Sequence, residues 1–302
     1  MLLKTKRHSA GLSVVAIFFN MRREAERTLH SLSKGYQQIE PDQNYEVHAV
    51  DNGSTEPLSK AFVDSIGEEF RYHFVKTSGP TPCDAINRFV AEARFDNIMV
   101  LIDGARILSP GIAPLTFAGL SAFAHPFIYT LGMHLGPKPQ NYLVSEGYNQ
   151  SVEDQLLESV DWKRDGYSLF SISSPALSSK RGFFSEVSES NCFTLRKSDF
   201  VELGLYESRF QSPGGGLCNL ELFNRINNCD RIQPVMLLGE ATFHQFHGGV
   251  ATNVPIEQHP WEAMAKEYTR IVGEPYENKF RRPVYLGSFR EDCAHLYDGA
   301  GR

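Results

Sequence analysis

The chain has 302 residues, of which 41% are hydrophobic and 22% are charged, as in ordinary globular proteins. This composition excludes a disordered chain, collagen and a coiled coil. The 30 Lys and Arg residues against 36 Asp and Glu residues give a formal net charge of −6. Such a balance disfavours broad electrostatic binding to nucleic acid or to an anionic membrane, so we expect neither as a partner.

Neither a transmembrane segment nor a disulfide framework is expected. The longest apolar runs fall short of the roughly 18 to 20 residues that a membrane helix needs. The five cysteines are an odd number and form no CxxC pair, which disfavours a disulfide scaffold, a zinc ribbon or a redox motif. We therefore expect reduced thiols and a cytoplasmic location.

The first hundred residues alternate between short apolar runs and amphipathic segments. Continuous apolar runs predict strands that are buried on both faces, and they occupy residues 12–19, 45–50, 72–76 and 98–102. Segments with helical periodicity lie between them, at residues 22–32, 57–66 and 82–95. Such a βαβ series predicts an α/β fold, in which a mostly parallel sheet is flanked by helices.

The pattern becomes less regular after residue 110. A helix is predicted at 110–124 and a strand at 127–131, whereas the Ser-, Gly- and Asn-rich span 140–190 is predicted to be mostly loop. Regular pattern then returns in five elements, which are strands at 191–195 and 234–238 and helices at 197–203, 218–228 and 256–272.

Polar residues follow all four of the predicted strands, at the sheet edge where ligands of open α/β folds bind. They are Asn20, the group Asp51, Asn52 and Ser54 in VDNGSTE, the pair Thr77 and Ser78, and Asp103. Asp51 could accept a hydrogen bond from a base or a hydroxyl, although Asn-Gly is also a common tight turn. Asp103 could hold a divalent cation bound to substrate phosphates, or it could simply be a turn aspartate.

Two later segments carry further candidate residues. The segment FHQFHGG places His244 and His247 three residues apart, and imidazole can either ligate a metal or neutralise a phosphate. The HxxH pattern without a third nearby ligand is not a zinc signature. The helix after the glycine-rich segment 212–216 carries Glu221 and Arg225, at the spacing of a modest surface ion pair.

The order of these segments resembles the family-2 glycosyltransferases, which are nucleotide-sugar transferases of the GT-A fold. SVVAIFFNMRREAERTLHSL resembles their opening strand, asparagine and helix, and VDNGSTE resembles their VDDGSxD motif. GPTPCDAINRFVAEARFDNIMVLIDGA resembles the helix and strand that lead to their DxD motif. SNCFTLRKSDFVELGLYESRF, GGGLCNLELFNR and FHQFHGG resemble their later acceptor-side and histidine-bearing segments.

The resemblance implies a GT-A domain with a Rossmann-like sheet over residues 1–250. Its nucleotide-binding half would cover about 11–105 and its acceptor-side half about 106–250, and residues 251–302 would form a C-terminal helical extension. Such a domain would move a sugar from a nucleoside diphosphate, with UDP as the expected nucleotide, to a hydroxyl of a glycan or another acceptor. The reaction would be an inverting displacement.

The resemblance also assigns candidate site residues. Asp103 and His247 would hold Mn²⁺ or Mg²⁺, and Asn191 and Asn219 would lie on the acceptor side. The residues that would bind the nucleotide sugar are Asn20, Asp51, Asn52, Ser54, Asn87, Asp103 and Gly104.

Two departures from the family pattern affect the expected chemistry. Ala105 occupies the place of the second DxD aspartate, and Asn219 lies in the pair that is acidic in the family. Because an amide cannot take up a proton, the general base would be Glu221 or Glu189. The same departures motivate an alternative hypothesis, a transferase-like domain that binds nucleotide or glycan without turnover. A nucleotidyltransferase is less favoured, because no basic glycine-rich loop lies near the N-terminus.

Overall fold

A ten-stranded sheet forms the centre of the fold in the computed structural model, which describes residues 11–76 and 79–297. The order of the main strands across the sheet is β10-β9-β6-β8-β4-β1-β2-β3, while β5 pairs with β9 and β7 pairs with β6. The strands are β1 Leu12–Phe18, β2 Tyr45–Asp51, β3 Phe70–Phe74, β4 Asn97–Leu101, β5 Arg106–Leu108, β6 Pro126–Leu135, β7 Ser173–Pro175, β8 Cys192–Arg196, β9 Gln233–His244 and β10 Val284–Gly287.

The sheet is mostly parallel, as predicted. β4, β1, β2 and β3 are parallel neighbours, and β6, β9 and β10 form a second parallel group. Strand β8 runs antiparallel to both β4 and β6 and joins the two groups. Because β1, β2 and β4 are parallel and adjacent, their carboxyl ends meet at the same edge of the sheet.

Helices cover both faces of the sheet. The described helices are α1 Arg22–Ser31, α2 Lys60–Ile66, α3 Cys83–Glu92, α4 Ile112–Ala122, α5 Gln140–Leu143, α6 Gln150–Glu158, α7 Lys197–Glu202, α8 Cys218–Asn227 and α9 Trp261–Val272. One buried hydrophobic cluster contains side chains of α1, α2 and α4, and the other contains side chains of α3, α7, α8 and α9. This two-sided burial explains why the strands read as continuous apolar runs.

The boundaries of several predicted elements differ from the structure, and β9 extends six residues beyond its predicted end at 238. Strand β3 begins at Phe70, two residues before the predicted start. Helix α9 begins at Trp261, and the preceding residues 256–258 form a separate 3₁₀ turn. Pro260 accounts for this break, because a proline disfavours helical conformation in the residue before it, and His259 is extended at φ −60° and ψ 127°.

The prediction of mostly loop for residues 140–190 was wrong in part, because this span contains α5, α6 and β7. Helix α6 has its own start signal. The side chain of Asn149 accepts hydrogen bonds from the backbone amides of Ser151 and Val152, as expected of a helix N-cap. The surrounding Ser, Gly and Asn residues obscured this signal.

The segment 251–302, expected as a helical extension, contains α9 and also the edge strand β10, which pairs in parallel with β9. Residues 1–10, 77–78 and 298–302 of the expected domain ranges lie outside the described residues, so the predicted polar pair Thr77 and Ser78 does too. Every helix within the described ranges is too short or too polar to cross a bilayer. All five cysteines lie in these ranges and are free thiols.

Close backbone packing fixes the end of β4 against β1. The amide of Gly104 donates a hydrogen bond to the carbonyl of Ile17 at 2.7 Å, and its carbonyl accepts one from the Thr28 hydroxyl at 2.6 Å. A Cβ atom on Gly104 would lie only 2.4 Å from the Ile17 carbonyl oxygen. A glycine is therefore needed here, directly after Asp103, so that the two strand ends can approach each other.

Candidate active site

A cavity of about 1080 Å³ opens at the carboxyl ends of β1, β2 and β4. Asn20, Asn52 and Asp103 line it from these strand ends, while residues 213, 214 and 216–220 line it from the start of α8 and the segment before it, and residues 247–252 from the loop after β9. Its volume lies at the upper end of the range for ligand sites in proteins. Both halves of the expected domain therefore contribute to one cavity.

The side chain of Asp51 holds the turn after β2. Its Oδ1 accepts a hydrogen bond from the amide of Ser54 at 2.9 Å, and its Oδ2 accepts one from the amide of Leu58 at 2.8 Å. Asp51 is fully buried and is not among the described residues that line the cavity, whereas Asn52 and Gly53 of the same turn are. The carboxylate thus shapes the loop that faces the ligand space.

Asn20 joins the loops after β1 and β2. Its backbone has a φ of +53°, in the left-handed region that asparagine tolerates better than most residues. The backbone amide of Asn20 donates to the Ser54 hydroxyl at 2.8 Å. Its side-chain Oδ1 accepts from both the backbone amide and the hydroxyl of Thr55. These contacts fix the part of Asn20 that lines the cavity.

Asn87 lies in α3 and connects this helix to the segment before α8. Its Nδ2 donates to the carbonyl of Tyr206 at 2.8 Å, and its Oδ1 accepts from the amide of Tyr206 at 2.9 Å. Asn87 is not among the described cavity-lining residues. Its observed contacts are those of a residue that holds two segments together.

Asp103, His244 and His247 form a group that could hold a metal ion. The Oδ2 of Asp103 lies 3.1 Å from Nε2 of His244, and its Oδ1 lies 3.8 Å from Nε2 of His247. One ligand atom from each residue falls within 4.8 Å of the others. The resemblance favoured His247 as the histidine ligand, and the structure adds His244 through the antiparallel pairing of β5 with β9. Ala105 is buried in the core, so it takes no part.

The loop that carries His247 is held by one side chain, that of Asn253. Its Oδ1 accepts hydrogen bonds at 3.0 Å from the amides of His247, Gly248 and Gly249. Because the oxygen of Asn253 faces these three donors, its Nδ2 group must be the atom that points to Gln140 Oε1, 2.7 Å away.

This network fixes the orientation of the His244 ring. Gln140 Oε1 can only accept, so His244 Nδ1, 2.8 Å away, carries the hydrogen that it donates. Nε2 of a neutral His244 then presents a lone pair toward Asp103. Histidine ligands of metal ions are held in the same way, by a hydrogen bond from the other ring nitrogen.

The protonation states of this group favour a cation. Burial lowers the pKa of His244 to about 4, although Asp103 opposes this change. Burial alone would raise the pKa of Asp103, but His244, His247 and Arg106 hold it well below its usual range. Because a neutral His244 cannot supply the positive charge that stabilises the Asp103 carboxylate, a cation shared by the two side chains would supply it instead.

Glu189 and Asn219 form a second polar pair in the cavity. Nδ2 of Asn219 donates to Oε2 of Glu189 at 2.8 Å and to the carbonyl of Ser190 at 3.1 Å. Burial raises the pKa of Glu189, and the hydrogen bond from Asn219 and the charge of Arg106 partly offset this rise. Asn191, two residues further along the chain, also lines the cavity. A carboxylate with a raised pKa is suited to accept a proton near neutral pH.

Glu221 is engaged elsewhere. Its two carboxylate oxygens pair with Nε and Nη2 of Arg225 at 2.5 and 2.7 Å, in a bidentate arrangement. Arg225 also donates to the carbonyls of Leu203 and Leu205. Glu221 is buried and is not among the described residues that line the cavity, so its observed role is to fix α8 against the preceding segment.

No protein-family model and no curated protein matches the chain. Solved structures of S. aureus TarS are similar to it. TarS 1–349 in complex with UDP has a TM-score of 0.50 at 12% identity and covers 89% of this chain and 67% of that chain. TarS 1–349 with UDP-GlcNAc has a TM-score of 0.49 at 13% identity, covering 86% and 67% of the two chains. The chain therefore shares its α/β fold with TarS 1–349.

Proposed function

We propose that the chain is a glycosyltransferase that moves a sugar from a nucleoside diphosphate, with UDP as the expected nucleotide, to an acceptor hydroxyl. One observation carries this proposal: Asp103 and His247, which lie beside the buried His244, line the same large cavity as the pair of Glu189 and Asn219. The first group suits a diphosphate with its cation, and the second suits a proton acceptor. The complex of the similar TarS with UDP supports UDP as the nucleotide.

The expected halves of the domain have distinct roles in this proposal. Residues 11–105 supply the nucleotide end of the cavity, and residues 106–250 supply the acceptor side with Glu189, Asn191 and Asn219. Helix α9 in the segment 251–302 adds Trp261 and Met264 to the cavity wall. We propose that this segment completes the acceptor space.

The nucleoside would lie against the loops after β1 and β2. Asn20, Asn52 and Gly53 line this end of the cavity, and their backbone and amide groups can hydrogen-bond a base or a ribose. Asp51 and Ser54 would act as positioning residues, because the first holds the turn and the second accepts a hydrogen bond from Asn20. The contacts of Gly104 and Asn87 point to the same indirect role.

The donor atoms near Asp103 fit a divalent cation. Asp103, His244 and His247 would hold it, and two imidazoles favour Mn²⁺ over Mg²⁺, which prefers oxygen ligands. When bound, such a cation supplies positive charge that stabilises the leaving diphosphate. The chain's own contribution is to aim His244 through Gln140 and to keep Asp103 ionised.

Glu189 would act as the general base. As the acceptor oxygen attacks the anomeric carbon, its proton passes to the carboxylate of Glu189, and the nucleoside diphosphate leaves with the electrons of the broken bond. In-line attack from the opposite face inverts the anomeric centre. Asn219 would hold the Glu189 carboxylate toward the cavity, and Asn191 would contact the acceptor.

The test is turnover of UDP-sugars by the wild type and by two matched variants, with Mn²⁺ present. Glu189→Gln should lower kcat by about 100-fold to 10,000-fold and leave UDP binding intact. Glu221→Gln removes the same charge outside the cavity and should retain kcat. If UDP binds but no common UDP-sugar is hydrolysed or transferred, the chain is the binding domain of the alternative hypothesis.

A further inference from the structure

Arg106 places a buried positive charge at the wall of the cavity. Its side chain is only 3% exposed, yet it contributes to the cavity lining. Its Nε and Nη1 atoms have no hydrogen-bond partner within the described part of the chain. Buried guanidinium groups normally donate to several acceptors, so these unused donors indicate that an anionic group is missing.

The nearest carboxylate does not satisfy this charge. Oδ2 of Asp103 lies 3.4 Å from Nε of Arg106, but the same oxygen lies closer to Nε2 of His244, at 3.1 Å. One carboxylate is thus shared between the guanidinium and the histidine group. Leaving a buried charge poorly paired costs free energy, which a ligand anion would recover on binding.

Small and uncharged residues lie beside Nη1 of Arg106. Nη1 lies 3.7 Å from the position that a Cβ on Gly132 would occupy, next to Ala176 and Ser179. These residues leave room beside the guanidinium and supply no negative charge.

The position of Arg106 identifies the part of the donor that it would meet. Its Nε lies 3.4 Å from Oδ2 of Asp103, and its positive charge also acts on Glu189, whose pKa it lowers. In the proposed reaction the diphosphate lies near Asp103 and the attacked carbon lies within reach of the acceptor that Glu189 deprotonates. The donor sugar must therefore lie between these two residues, next to Arg106.

We propose that Arg106 binds a carboxylate on the donor sugar, so that the preferred donor is a nucleoside diphosphate uronate. This inference rests on the proposed function and names the substrate class of that site. The planar guanidinium matches a carboxylate with two parallel hydrogen bonds, and neutral hexoses have no group that would neutralise the charge. Arg106 would then be the residue that determines donor specificity.

Donors that differ only at C6 provide the test. Binding of UDP-glucuronate and UDP-galacturonate is compared with that of UDP-glucose and UDP-galactose by calorimetry, using the full chain. At least one uronate should bind about 10-fold to 100-fold more tightly than its neutral counterpart. The preference should persist in EDTA as well as in Mn²⁺, which separates recognition by Arg106 from chelation of the cation by the sugar carboxylate.

Variants of Arg106 test whether this side chain causes the preference for uronate donors. Arg106→Gln should abolish it and change UDP affinity much less, and the retained UDP binding also reports that the variant is folded. Arg106→Lys keeps the charge without the planar fork and should keep part of the preference. Arg164→Gln is the matched control, because its side chain is 87% exposed and it should bind donors as the wild type does.

Three results would count against the proposal. Neutral donors that bind as tightly as the uronates, or a preference that survives Arg106→Gln, would overturn the uronate assignment. A loss of UDP affinity as large as the loss of uronate affinity would place Arg106 on the diphosphate instead. Failure of wild-type chain to bind UDP or any UDP-sugar would instead overturn the proposed function on which the inference rests.

Discussion

Asn219 donates a hydrogen bond from Nδ2 to Oε2 of Glu189 across 2.8 Å. Its orientation is fixed from the other side, because its Oδ1 accepts a hydrogen bond from the Tyr206 hydroxyl, also at 2.8 Å. The family resemblance leads one to expect a carboxylate at position 219, which holds the amide of Asn219 instead. This amide orients the carboxylate of Glu189, which comes from another segment. We propose that Glu189, which lies within hydrogen-bonding distance of Asn219, takes the place of the missing carboxylate.

Asn219→Ala should shift the pH dependence of transfer. The hydrogen bond from Asn219 stabilises the ionised carboxylate and so lowers the pKa of Glu189 against the effect of burial. Without it the pKa rises further, and the acidic limb of a plot of kcat/KM against pH should move to higher pH. The fall in kcat at the optimum should be smaller than the roughly 100-fold expected for loss of a general base. An unchanged acidic limb would exclude Glu189 as the titrating base.

The parts of the fold that follow from local pattern were predictable. Strands β1, β2 and β4 are buried on both faces. Each therefore appears in the sequence as a short continuous apolar run, which predicts a strand of this kind. The short strands β5, β7 and β10 carry too few residues for any period to be read, and each owes its place to a partner distant in sequence. Such pairings are tertiary and have no local signal.

The same distinction applies to the site. Asp103 is the second residue after a buried strand and could be identified from the sequence, whereas His244 reaches it through the pairing of β5 with β9. The strand predicted at 234–238 stops short of His244, which the structure places at the end of the continuously buried β9. Asn253 and Gln140, which orient that ring, come from segments that read as loop. Their contribution could not be inferred without coordinates.

The proposed cation site predicts that Asp103→Asn and His244→Gln weaken Mn²⁺ binding. Each variant removes one of three candidate ligands, so the Kd for Mn²⁺ should rise by more than about 10-fold to 100-fold, the range for losing a supporting residue. Free Mn²⁺ measured by electron paramagnetic resonance gives this Kd directly. His295→Gln, at an exposed position, is the control and should bind Mn²⁺ normally. Equal affinities in all four proteins would show that the ion binds elsewhere.

Asp51→Asn should destabilise the chain and weaken UDP binding together. The asparagine amide can accept only one of the two backbone hydrogen bonds now received from Ser54 and Leu58, which leaves a buried donor unpaired at a cost of about 1–3 kcal/mol. Urea unfolding measures this cost, and calorimetry with UDP measures the effect on the loop containing Asn52. Asp64→Asn, at a half-exposed site on α2, should change neither quantity appreciably. UDP affinity that stays at the wild-type value in Asp51→Asn would separate this turn from the nucleotide site.

Away from the cavity, one carboxylate oxygen of Glu46 accepts more than one hydrogen bond. Its Oε1 accepts from the Ser13 hydroxyl at 2.6 Å and from the amide of Arg94 at 2.9 Å, and it lies 3.1 Å from Nε2 of His48. Burial alone would raise the pKa of Glu46, but His48 and these hydrogen bonds outweigh burial and lower the pKa to about 2. The folded state therefore favours the ionised carboxylate.

This shift predicts a pH-dependent effect of Glu46→Gln on stability. A carboxyl group whose pKa is lower in the folded state contributes stability above its unfolded pKa, and it loses that contribution as the pH falls from about 5 toward 2. At neutral pH the variant should lose up to about 3 kcal/mol of unfolding free energy, and near pH 3 the difference should be clearly smaller. Urea unfolding at both pH values measures it, with the exposed Glu262→Gln as control. If the difference in unfolding free energy stays constant across this range, Glu46 supports the fold through packing and neutral hydrogen bonds. A contribution from its charge would instead disappear as the carboxylate becomes protonated at low pH.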